Sequence, residues 1–249
     1  MLEATQSLET KLADIQDAIQ DTTQQSAARH REAKDTECLN HLCLTDPSAD
    51  KLRIEEHKGG LFKDSYSWII RHADFQQFLA DPDMQLLWIK GAPGKGKTML
   101  MSGIINELKS TGRLLSYFLC EQANSKMNSE TAILRGLIFA LATQQPLLLS
   151  HLRKKAPETA NAVLLVDALD ECATGQRRFL DFLLQCNQLK HYRVKWIVSS
   201  RNYWADIEER MRRMELKLQP QLELNQELVS DAIISYIAHK VNIVAGDKG

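Results

Sequence analysis

Residues 85–98 read QLLWIKGAPGKGKT, and the fold follows from how this stretch is read. Its first half, QLLWIK, is a short apolar run of the kind that forms a fully buried strand. Its second half, residues 91–98, satisfies the pattern G-x-x-x-x-G-K-[ST] in full, and residues 99–109 continue with helical periodicity. A strand that passes through a glycine-rich turn into a helix wraps an anion. The glycines let main-chain N–H groups turn tightly and approach closely, and the positive end of the helix points at the same place. The pattern therefore predicts a triphosphate cradle built from Gly91, Ala92, Pro93, Gly94, Lys95, Gly96, Lys97, Thr98 and Met99. Lys97 is assigned to the β- and γ-phosphates and the Thr98 hydroxyl to one position of a Mg²⁺ shell. Lys95, at a free position of the pattern, is expected to face solvent.

Outward from this loop, apolar runs alternate with helical stretches, which is the signature of a parallel sheet covered on both faces. Strands are expected at residues 85–90, 114–119, 162–167, 194–199 and 214–218. Ile133, Leu134, Leu137, Ile138 and Leu141 form a helical stripe, with Asn128 or Ser129 as cap and Pro146 as stop. A further helix is expected over residues 177–188, and another beyond Asn225 through Val229, Ile233, Tyr236 and Ile237. The predicted fold class is α/β: a five-stranded, mostly parallel sheet with helices on both faces, preceded by a helical arm.

The third strand ends on Asp167, at the sheet edge where ligands of open parallel sheets bind. Asp167 is placed to orient Mg²⁺ waters. Glu171 is the candidate general base for an attacking water, with Asp170 assisting it or the metal. The alternative is that both carboxylates open a helix, where they are favourable. The fourth strand leads to Ser199-Ser200-Arg201 on the same edge, making Arg201 either a γ-phosphate contact or a surface arginine. Tyr66 or Trp68 either stacks on the base or packs in the core.

With 44% hydrophobic and 25% charged residues the chain reads as globular, and a net charge of −1 gives no electrostatic case for nucleic acid or an anionic membrane. The basic clusters at residues 153–155 and 210–213 are short and read as solvated faces. No apolar run reaches the roughly 20 residues needed to span a bilayer, and the polar start carries no secretory signal. Five cysteines without paired spacing read as reduced thiols, so the expected location is cytoplasmic. Residues 1–37 lack Gly and Pro and space Leu8, Leu12, Ile15 and Ile19 as a short seam, which reads as a coiled coil or a solvated connecting helix. Residues 38–63, punctuated by Asp46-Pro47-Ser48 and Gly59-Gly60, read as a linker, residues 64–220 as the core, and residues 221–249 as the start of a truncated helical segment.

The combination GAPGKGKT, LLVDALDEC and VKWIVSSRN resembles the NACHT class of signal-transduction NTPases, specifically its fungal NLR-like members of nephrocystin-like N-terminal type. Residues 44–47, 58–61, 64–69 and 74–76 resemble the segment that leads into that domain, so the similarity covers about residues 38–238. The resemblance implies a nucleotide-operated switch that assembles with itself or with NLR-type partners. It also implies Lys97 and Thr98 as the Walker A pair, Asp167, Asp170 and Glu171 as an extended Walker B, and Arg201 as a sensor. Similar proteins carry several tens more residues ahead of the third strand than the short run at residues 156–161. They also carry closing helical and winged-helix segments, so this chain is expected to be an isolated module or a truncated product. Without an N-K-x-D motif, ATP is favoured over GTP, which stays open. A weak nucleotide-binding or protein-interaction module and a small-molecule kinase are the competing classes, although no lid or acceptor site for a second substrate is visible.

Overall fold

A computed structural model describes residues 2–146, 148, 162–188, 194–201 and 221–246. The chain divides into two compact units, Met1–Leu42 and Cys43–Gly249. The first is one helix, α1 (Leu2–Leu42), which runs beyond the expected arm. It is uninterrupted because nothing in its sequence breaks the main-chain ladder, and Thr23 and Thr36 bond back to the carbonyls of Ile19 and Glu32. Ile19, at the end of the expected seam, is 61% exposed.

In the second unit, the stretch read as a linker contains a helix. α2 (Pro47–His57) starts where the Asp46 carboxylate accepts the Ser48 N–H at 2.8 Å and proline fills the first turn. It stops at Gly59 and Gly60, whose φ values of +89° and +85° lie in the left-handed region. A 3₁₀ turn (Lys63–Ser65), α3 (Ser67–Arg71) and α4 (Ala73–Ala80) then lead to β1 (Leu86–Lys90).

The sheet follows with α5 (Lys97–Lys109), β2 (Leu114–Leu119), α6 (Glu130–Gln144), β3 (Ala162–Asp167), α7 (Gln176–Gln188), β4 (Val194–Ser200), β5 (Gln221–Glu223) and α8 (Gln226–Gly246). Ser129 caps α6 through its bond from the Ala132 N–H. Strand order is β2-β3-β4-β1-β5, and every pairing is parallel. All residues of β1 and β3 are buried, as continuous apolar runs demand when helices cover both faces. The expected strand at residues 214–218 lies outside the described residues. The strand that completes the sheet is β5, whose main chain pairs with Trp88, Ile89 and Lys90.

This order sets β4 between the loop-bearing strand β1 and the acidic strand β3. The registers Lys90↔Ser200 and Leu119↔Asp167 bring the C-terminal ends of four strands level with one another. The loop after β1, the turn after β3 and Arg201 after β4 therefore share one edge. All five cysteines are free thiols, with Cys120 and Cys172 buried near that edge.

Candidate functional site

The glycine-rich loop leaves β1 where the Gly91 N–H donates to the Ser200 carbonyl at 3.3 Å. A Cβ on Gly91 would come within 3.1 Å of Leu224 Cβ, tight enough that the Leu224 side chain would have to give way. Gly96 has φ +77° and serves as the N-cap of α5, a conformation that side chains disfavour. The turn sends Lys97 back over the loop, where Nζ donates to the Gly91 carbonyl at 2.6 Å and the Ala92 carbonyl at 3.1 Å. Burial pushes the Lys97 pKa down, opposed by the charges of Asp170, Asp167 and Glu171, while Arg201 adds to the lowering. The expected cradle and the expected acidic cluster are thus brought together. Ala92 and Pro93 are exposed on the outer bend.

Asp167 is 1% exposed at the end of β3. Burial pushes its pKa up, opposed by hydrogen bonds from the Ser199 and Thr98 hydroxyls. Ser199 Oγ donates to Asp167 Oδ1 at 2.5 Å and accepts the Ala168 N–H at 2.8 Å. Ala168 itself has φ +52°, the only non-glycine residue of positive φ among the described residues, and it turns the chain into the acidic 3₁₀ turn Leu169–Glu171. The paired Thr98 hydroxyl and Asp167 carboxylate form a hard-oxygen set suited to Mg²⁺, which takes one or two such groups and keeps several waters. The residues present fit that ion.

Asp170 and Glu171 do not open the next helix, since α7 begins only at Gln176. Asp170 Oδ2 lies 2.8 Å from Arg201 Nε, and its Oδ1 accepts the Arg201 N–H at 3.1 Å. Glu171 Oε1 lies 3.8 Å from Arg201 Nη2, and Oε2 accepts the Gln122 N–H at 3.2 Å. Gln176 Nε2 braces the turn by donating to the carbonyls of Leu169 and Asp170. Arg201 is therefore a member of the cluster, paired with carboxylates, and not an isolated surface arginine.

Beside the loop lies a cavity of about 230 Å³. Gly94, Lys95 and Met99 form one wall, Trp68 another, and Val229, Ile233 and Tyr236 of α8 a third. Lys95 is half-buried against this cavity, where solvent exposure was expected. Left-handed glycines on both sides of it turn the chain so that it faces the cavity. Tyr66 is in the core, its ring against α5, so of the two aromatics only Trp68 reaches the cavity. The α8 wall is fixed to the segment after α2: Phe62 and His239 stack with ring centroids 4.1 Å apart, and Lys240 Nζ donates to the Gly59 carbonyl at 2.5 Å.

Ser199, the Gln122 N–H and the α8 wall were not anticipated. The buried polar pair Ser199-Ser200 at the end of an apolar strand was the one available signal for the first. A main-chain N–H carries no residue-type signal, and the α8 wall is remote in sequence.

An all-parallel sheet, a complete phosphate loop and an acidic strand end on one edge define a P-loop nucleotide-binding domain. The profile of the family described as Nephrocystin 3, N-terminal, matches residues 64–161 and 148–201. The Vegetative incompatibility protein HET-E-1 of Podospora anserina is 42% identical over 246 residues, spanning 87% of this chain and 18% of that protein. The chain belongs to this nephrocystin-like, NACHT-type NLR family. Solved structures that overlay on it include AMPPCP-bound DnaA from Aquifex aeolicus (13% identity, 73% of this chain, 53% of that chain, TM-score 0.43). Drosophila ORC bound to DNA overlays as well (16% identity, 80% of this chain, 49% of that chain, TM-score 0.41). Among the described residues no helix is long and apolar enough to cross a membrane.

Proposed function

We propose that this chain is the nucleotide-operated switch of an NLR-like signalling protein: it binds ATP with Mg²⁺ and hydrolyses it slowly, and the bound nucleotide governs assembly. The observation that carries the reading is that the phosphate loop, with Lys97 folded back onto its Gly91 and Ala92 carbonyls, shares one sheet edge with Asp167 and with the Asp170, Glu171 and Arg201 cluster. In this reading Lys97 and the loop N–H groups hold the phosphates, and Thr98 and Asp167 would hold Mg²⁺, which would supply charge neutralisation. Glu171 takes the proton of the attacking water, and the diphosphate leaves. Arg201 compensates charge on the γ-phosphoryl, exchanging its Asp170 partner for it. The apolar cavity beside the loop suits a purine base stacked on Trp68. ATP is preferred over GTP, on the missing guanine-reading motif. The resemblance to HET-E-1 supports incompatibility-type signalling through self-association or NLR-type partners, and the free thiols fit a location in the cytoplasm.

The test is equilibrium binding and turnover of fluorescent ATP and GTP analogues with Mg²⁺. Lys97→Ala is expected to abolish saturable binding, and Glu171→Gln to retain binding while slowing turnover about a hundred-fold or more. A folded wild type that binds neither nucleotide overturns the reading. Light scattering in ADP and in a non-hydrolysable ATP analogue then tests whether the bound nucleotide sets the oligomeric state.

A further inference from the structure

The Gln122 N–H that meets Glu171 belongs to a compact loop between β2 and α6. Within it the Met127 N–H donates to the Asn124 carbonyl at 2.8 Å, the Glu121 N–H to the Met127 carbonyl at 3.3 Å, and Asn128 Nδ2 to the Gln122 carbonyl at 3.0 Å. The loop is also tied to the acidic turn. The Cys120 N–H donates to the Asp167 carbonyl at 3.0 Å, and the Ala173 N–H to the Asn128 carbonyl at 2.7 Å.

What grips the loop from outside is α2. Arg53 Nη2 lies 2.6 Å from Glu121 Oε2 and Nη1 lies 3.4 Å from Oε1, a two-pronged pair, and Nη2 also reaches Met127 Sδ at 3.6 Å. The pairing raises the Arg53 pKa and lowers that of Glu121. α2 is fixed in turn to α5 through the buried Lys51, which donates to Glu55 Oε1 at 2.5 Å and to Asn106 Oδ1 at 2.9 Å. One helix thus holds both the helix that follows the phosphate loop and the loop that meets Glu171. α2 also lies ahead of the residues matched by the family profile.

We propose that Arg53 is a positioning residue: through Glu121 it sets the Gln122 N–H against Glu171, so that α2 controls hydrolysis without touching nucleotide. The proposal rests on the reading of Glu171 as the base. It is separable from fold stability, because an ion pair as exposed as this one contributes little to folding.

The experiment measures single-turnover Mg-ATP hydrolysis, nucleotide affinity and Tm on the whole chain. The variants are Arg53→Ala, Glu121→Ala, their double, the swap Arg53→Glu with Glu121→Arg, and Arg53→Ala in a Glu171→Gln background. Each single variant is expected to lower the hydrolysis rate about ten-fold by misplacing one group, with affinity and Tm unchanged. The double should be no worse than either single, the swap should recover activity, and Arg53→Ala should cost nothing further once Glu171 is glutamine. An unchanged rate, an equal fall in the Glu171→Gln background, or loss of affinity and Tm together overturns it. Glu171→Gln turning over like wild type removes the base assignment itself, which is a different failure. Where wild-type turnover is too slow to follow, amide exchange decides: Arg53→Ala is expected to speed exchange in both 120–129 and 168–174, and an unaltered second segment overturns the proposal.

Discussion

Lys97 sits in a part-buried position where its ammonium is satisfied by two loop carbonyls and crowded by Arg201, and burial is the dominant influence on it. A base whose folded pKa is depressed adds stability above its unfolded pKa and loses it as pH falls through the folded one. Wherever the folded lysine is charged, its burial therefore weakens the fold, and a triphosphate offsets that penalty. Replacing it by methionine removes that penalty along with the phosphate contact. In the absence of nucleotide, Lys97→Met is expected to melt at or above the wild-type Tm at pH 7. The gap should move in favour of the wild type as pH rises toward about 10, where the unfolded lysine begins to titrate. Thermal melts across pH check this, and a variant that melts well below the wild type at every pH contradicts it. With Mg-ATP at a hundred-fold excess over Kd, only the wild type should gain, by about 2.7 kcal/mol.

At the scale of elements, α5 carries Gly103 where ordinary helix propensity would favour alanine by about 1 kcal/mol. Packing reverses the preference: a Cβ there would fall 2.2 Å from Tyr66 Cγ, so the ring lies directly on the helix backbone. Gly103→Ala is accordingly expected to destabilise by about 1 to 3 kcal/mol, as overpacking does, read from denaturant midpoints. Shrinking the ring with Tyr66→Leu in the Gly103→Ala background should recover part of the loss, and strict additivity of the two changes would rule out the contact. The same element shows what the sequence made legible. β1 to β4 were readable because buried parallel strands are continuous apolar runs, and the phosphate loop because its residues act locally through their own backbone. α2 was not readable: Lys51 is 6% exposed and Leu52 56% exposed, the reverse of hydrophobic patterning, because Glu55 and Asn106 satisfy the buried ammonium. β5 was missed because main-chain pairing with β1 holds it, and Gln221 and Glu223 flank a single leucine. The partners of Asp167 and Glu171 come from Ser199 and Gln122, residues that only the strand order brings near.

For the whole molecule, the two units have different means of support. Cys43–Gly249 has the continuous core that joins the sheet to α2 through α8, and every candidate site residue lies within it. In the first unit the helix Leu2–Leu42 contributes no described residue to that core, and an isolated helix draws little stability from its own hydrogen bonds. A chain of residues 43–249 alone should therefore keep the Tm, the nucleotide affinity and the Lys97 and Glu171 phenotypes of the whole chain. A peptide of residues 1–42 should show helicity by circular dichroism that grows with concentration only if the Leu8, Leu12, Ile15 and Ile19 seam pairs with another copy. If the shortened chain instead melted lower or lost nucleotide, the first helix would be part of the folding unit, and its polar surface would have to be read as a docking surface for the domain. If affinity and Tm hold while nucleotide-dependent assembly is lost, the helix carries the assembly step and the P-loop unit carries the timing.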